Sequence, residues 1–133
     1  MNYKKEVKPL FWVGNSKNDL RKFPEDVQDA VGYALHQAQI GEKHKDAKPL
    51  RGFGGASVLE VVEDYAGDTY RAVYTVKFAE AIYVVHAFQK KSRRGSETPK
   101  PDMDLIQQRL KRAEEQHAEN TKTGKTPQRK NND

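Results

Sequence analysis

Basic residues crowd one short stretch of this chain, Lys90-Lys91-Ser92-Arg93-Arg94. Clustered cations attract polyanions, of which nucleic acid is the commonest, although a solvated tail carries the same signature. A lysine crowded by other cations gives up its proton more readily, so Lys90 or Lys91 can act as a base or an acid. The plainer alternative is a solvated basic turn that grips phosphates, with Arg93 and Arg94 beside it. Arg71 stands in an otherwise apolar run, Tyr70-Arg71-Ala72-Val73-Tyr74, where a charge is out of place unless one face of a sheet is wet. There it can hold two phosphate oxygens at once, or pair with Glu60 or Glu63 of a neighbouring strand. His86 alternates in phase with Phe88 and can serve as a general base; a lone strand histidine is more often a packed structural residue. Arg51, beside the glycines of Arg51-Gly-Phe-Gly-Gly, can approach a polyanion closely, with Lys48 a weaker companion. Phe88 and Tyr83 offer rings that would stack on a base, or that simply fill a core. His36, His44 and His117 form no spacing suited to a metal, and no metal or other cofactor is expected.

The elements that would position these groups follow from the hydrophobic pattern. Val7–Val13 is apolar enough for a strand, with Pro9 marking its entry or an edge. Ser16, with Asp19 three residues on, predicts the cap of a short helix through Phe23. Pro24 opens a second helix, in which Val27, Val31, Leu35 and Ala38 make one stripe and Gly41 closes the end. Residues 42–49 read as charged turn. Val58–Tyr65, Thr69–Lys77 and Ala81–Phe88 predict an antiparallel three-strand meander. Pro99 and Pro101 punctuate a loop, and Asp102 caps a last helix from Met103 to about His117. From residue 119 onward no large apolar side chain occurs, which predicts a disordered polar tail over 119–133 behind a single domain of 1–118. The fold class is α+β: an N-terminal strand plus the meander, packed by two N-terminal helices and followed by a C-terminal helix.

Composition narrows the class further. The 133 residues are 35% hydrophobic and 32% charged, a polar chain with room for one modest core. There is no cysteine, which removes thiol catalysis and thiolate metal sites. No apolar run approaches a membrane span and no signal segment opens the chain, so a cytoplasmic protein without membrane contact is expected. The net charge of +5 is uneven. Residues 49–90 carry four basic against five acidic groups, and residues 91–133 carry eleven against seven.

Four stretches, in order, resemble the RelE/ParE toxin superfamily, and within it the phage-derived HigB-like branch. They are Lys17-Asn-Asp-Leu-Arg-Lys-Phe-Pro-Glu-Asp-Val, Ala47-Lys-Pro-Leu-Arg-Gly-Phe-Gly, Thr69-Tyr-Arg-Ala-Val-Tyr and Val84-Val-His-Ala-Phe-Gln-Lys-Lys-Ser. The resemblance spans roughly residues 7–115. It implies the toxin of a type II toxin–antitoxin pair, a metal-independent endoribonuclease that cleaves mRNA on the ribosome and arrests translation. Arg71 falls at the family's catalytic arginine, with Lys90, Lys91 and His86 as acid–base candidates and Lys48, Arg51, Phe88, Arg93 and Arg94 as RNA contacts. It also implies a cognate antitoxin, a helix-turn-helix protein in this branch. The chain itself carries no helix-turn-helix signature, so no sequence-specific DNA binding by this chain alone is expected. Two features depart from the family. Leu59-Glu60-Val61-Val62 lacks the arginine relatives carry there, and Lys90–Arg94 lacks their tyrosine. The alternative is a non-catalytic binder on the same fold, resembling the gyrase-poisoning ParE branch or an RNA-binding relic.

Overall fold

The computed structural model describes residues 6–90 and 97–122. Five strands form one sheet: β1 (Leu10–Trp12), β2 (Ala47–Pro49), β3 (Val58–Tyr65), β4 (Asp68–Thr75) and β5 (Ile82–Lys90). Their spatial order is β1-β5-β4-β3-β2. Helices α1 (Ser16–Arg21) and α2 (Glu25–Gln39) cover one face, and α3 (Lys100–Lys122) lies on the other. The meander is antiparallel throughout, while β1 runs parallel to β5 with Leu10 opposite Ile82. The α+β class expected from the sequence is the observed one.

Each face carries its own core, as the period of two in a strand requires. The α2 stripe Val27, Val31, Ala34, Leu35 and Ala38 packs on Leu59, Val61, Ala72, Tyr74 and Val84. On the opposite face Val58, Val73, Tyr83 and Val85 meet Ile106 and Ala113 of α3. Ile106 is fully buried, so Ile106→Ala should cost about 2–5 kcal/mol. A comparable loss in urea unfolding of the whole chain would show that α3 folds with the sheet, and a negligible one would show it only rests there.

Several local expectations are corrected. Residues 47–49 form a fifth strand, Ala47 opposite Val61 and Pro49 opposite Leu59. Pro49 has no amide donor and is tolerated because β2 is an edge. Ser16 is not the cap: Asn15 holds that position, without a side-chain capping bond. The Ser16 hydroxyl instead donates to the Val84 carbonyl at 3.1 Å, tying α1 to β5. α3 begins at Lys100, with Pro101 in its first turn where a missing N–H is harmless, and it continues to Lys122. Residues 119–122 of the expected tail are therefore helical, and the rest of the tail lies outside the described residues. The β3–β4 turn is two residues, Ala66 and Gly67, both at positive φ, which matches the twist of a tight hairpin.

The β4–β5 register slips by one residue, since Val73 faces His86 while Tyr74 faces Val84. Val84 belongs to the α2-side core and Val85 to the α3-side core. The extra residue thus moves His86, Phe88 and Lys90 to the α3 side, where strict alternation from Val84 would have turned them toward α2.

Candidate functional site

The α3 side of the sheet gathers the chemistry. Arg71 on β4 is 4% exposed, and its Nη1 donates to Glu60 Oε1 of β3 at 3.0 Å, with both side chains buried. The register puts Arg71 between Val62 and Phe88, and Val73 between Glu60 and His86. Glu60, Arg71, His86 and Phe88 therefore sit in two adjacent rows across three strands, with backbone positions about 5 Å apart within a row. Lys48 faces Glu60 across the β2–β3 pair and is exposed at the sheet edge.

His86 is 5% exposed. Its ring stacks on Phe88 at 4.8 Å between centroids and 17° between planes. Its Nε2 lies 2.8 Å from Asp102 Oδ1 in the first turn of α3. Arg109, two turns further along α3, donates from Nη1 to the Val85 carbonyl at 2.9 Å and stands 3.5 Å from His86 Nδ1. Burial lowers the pKa of Arg109 from the ordinary arginine value, against the opposing pull of Asp19. Lys90, at the end of β5, is buried with its ammonium donating to the Glu97 carbonyl.

Of the residues singled out in the sequence, Arg71, His86, Phe88 and Lys90 share this face of the sheet, the first two and Lys90 buried, and Lys48 borders it. Arg51 is exposed in the turn that follows β2. Lys91, Arg93 and Arg94 lie outside the described residues. Tyr83 offers no stacking surface: it is fully buried, stacked on Phe11, with its hydroxyl 3.1 Å from His117 Nδ1. Of the two partners foreseen for Arg71, Glu60 is the actual one, because Glu63 is opposite Tyr70 and belongs to the other face. Sequence reasoning missed Asp102 and Arg109. Asp102 read as a helix cap, and only the return of α3 across the sheet brings it to His86.

Glu63 belongs to a second polar group. One ligand atom each from His44, Asp46 and Glu63 lies within 4.8 Å of the others, a proximity created by the β2–β3 pairing and invisible in the spacing of histidines. These are ligand types that suit a divalent cation. Burial first, then the hydrogen bond and negative charge of Asp46, push the Glu63 carboxyl up to about 7, opposed by Lys45. A carboxyl whose pKa is higher in the folded chain than its ordinary 4.5 stays protonated while the unfolded chain has already ionised. Stability therefore falls as pH rises from about 4.5 through 7. Glu63→Gln should flatten that decline, and urea unfolding at pH 5 and pH 8 measures it. An unchanged slope in the variant would locate the dependence elsewhere.

Residues 18–111 match the family described as phage derived protein Gp49-like. The chain belongs to the phage-derived Gp49-like family. Among solved structures, this Gp49-like chain is similar to the Escherichia coli toxin RelE in its free state, a double arginine-to-alanine mutant. The TM-score is 0.52 at 16% identity, over 80% of this chain and 97% of that one. It is also similar to a chain of the toxin–antitoxin complex RelBE2 from Mycobacterium tuberculosis, with TM-score 0.40, 18% identity, and 68% and 100% coverage. No curated protein matches significantly. The expected RelE-type fold is thus the fold of this Gp49-like chain. Among the described residues, no helix is long and apolar enough to cross a membrane.

Proposed function

We propose that this Gp49-like chain is the toxin of a toxin–antitoxin pair and cuts mRNA on the ribosome without a metal. The observation that carries the reading is the grouping of Arg71, His86 and Lys90 on one face of a sheet whose fold is shared with a toxin.

Cleavage of RNA by its own 2′-hydroxyl has three needs. The hydroxyl must lose a proton, the crowded phosphate must have its charge stabilised, and the departing 5′-oxygen must gain a proton. His86, fixed at Nε2 by Asp102, takes the 2′-hydroxyl proton on Nδ1. The freed oxygen attacks phosphorus, the bond to the 5′-oxygen breaks, and a 2′,3′-cyclic phosphate forms. Arg71 offers N–H donors to the phosphate oxygens where charge develops. Stabilising that charge usually accelerates such a reaction more than any other single effect. Glu60 sets the plane of the guanidinium. Lys90 supplies the proton to the leaving oxygen, and Phe88 stacks with a base beside the cut. The ribosome contributes the geometry of the messenger, which a site so short of acid–base groups must borrow. Lys48, Arg51, Lys91, Arg93 and Arg94 are proposed to grip the RNA backbone. An antitoxin of helix-turn-helix type would cover this basic surface with an acidic segment.

A second reading has one specific observation behind it. Glu60 neutralises Arg71 in a buried pair, as expected of a binder that inhibits growth without cutting RNA. Labelled amino-acid and thymidine incorporation after induction separates the two. The nuclease reading expects protein synthesis to stop first; replication stopping first would favour a gyrase-directed binder.

A further inference from the structure

We infer that Asp102 and Arg109, both carried on α3, are positioning residues that hold His86 in one tautomer, with Nδ1 as its proton acceptor. This rests on the ribonuclease reading above.

An ionised carboxylate only accepts hydrogen bonds and a guanidinium only donates them. Asp102 Oδ1 at 2.8 Å from Nε2 therefore requires the ring hydrogen on Nε2. Arg109 Nη1, 3.5 Å from Nδ1, would meet a hydrogen there with its own, so it favours a lone pair on that nitrogen. The two neighbours agree on one tautomer, and the ring plane is held by the stack on Phe88.

The arrangement is built into α3. Asp102, Ile106, Arg109 and Ala113 recur at helical spacing on the side facing the sheet. Fully buried Ile106 sets the depth of the helix, and Asp102 and Arg109 flank it. The backbone beneath Arg109 is cleared as well. Gly14, at φ +61°, leaves room that a Cβ would take, since that atom would fall 2.6 Å from Arg109 Nε. When RNA enters, the donors of Arg109 can pass from Val85 and the ring to the phosphate, freeing Nδ1 for the 2′-hydroxyl. A partner that orients a catalytic imidazole fixes which nitrogen reacts, and in a Ser-His-Asp triad exchanging the orienting carboxylate for an amide costs about 10⁴-fold.

The test is made on the full chain with long-range proton–nitrogen correlation spectra of His86, beside single-turnover cleavage of ribosome-bound mRNA. Wild type should show a single tautomer protonated on Nε2. Asp102→Asn should show mixed tautomers and a cleavage rate lower by as much as about 10⁴-fold, and Asp102→Glu, which keeps the carboxylate, should restore most of both. If Asp102→Asn does not fold, Arg109→Gln probes the other ring nitrogen by the same two measurements. A single unchanged tautomer in the variant, or mixed tautomers with undiminished kcat, overturns the inference. A wild-type chain that cuts no RNA overturns the ribonuclease reading instead, and the spectra still decide whether Asp102 holds the ring.

Discussion

Arg71→Ala is expected to lower the stability of the chain by about 3–5 kcal/mol, because it leaves a buried carboxylate without its cation. Glu60 is only 4% exposed, so water cannot take over the role of the guanidinium. Loss of activity in that variant alone would therefore say little about catalysis. Replacing both partners by apolar residues, Arg71→Met with Glu60→Leu, removes the desolvation cost together with the pair. Such exchanges are often neutral or stabilising by about 1–4 kcal/mol. The double variant should unfold in urea near the wild-type midpoint and cut no mRNA. If it is stable and still cuts at the wild-type rate, Arg71 is structural and the catalytic assignment fails.

His86→Gln carries the second large effect. A positioned acid–base group contributes about 10²–10⁴-fold to rate, and the variant should lose activity on that scale. Glutamine keeps a donor within reach of Asp102, so the seat of α3 is preserved and the unfolding midpoint should hardly move. The loss should appear in kcat, measured in single-turnover cleavage with the messenger already on the ribosome. An unchanged kcat would remove His86 from the chemistry and return it to the packed role that strand histidines usually have.

The contrast between Arg71 and Asp102 shows how far the sequence could be read. A charge in an apolar strand is conspicuous, and the partner for Arg71 is one of two carboxylates on the next strand, so both are visible in the pattern alone. Which of the two it is depends on register, and Glu60 rather than Glu63 follows from Val62 lying opposite Arg71. The helices and the three long strands were legible because their apolar periods differ, 3.6 against 2. β2 was not, because three residues ending in proline carry no period at all. The side of the sheet that His86 faces was hidden for a related reason: one extra residue near Val85 changes the phase, and composition does not mark it. Asp102 and Arg109 became part of the site only through packing. Their separation from His86 along the chain says nothing about the direction in which α3 returns across the sheet. The fifth strand adds an edge to the expected sheet without altering the fold class.

Cutting of mRNA by this chain when a ribosome presents it is tested most directly by primer extension on one transcript. The transcript is probed in a reconstituted translation reaction and as the same RNA without ribosomes, with His86→Gln as the control. New 5′ ends are expected within the translated region only when ribosomes are present, and none with the variant. Cuts on naked RNA would contradict the dependence on the ribosome. No cuts in either reaction would contradict the nuclease itself and leave the binder.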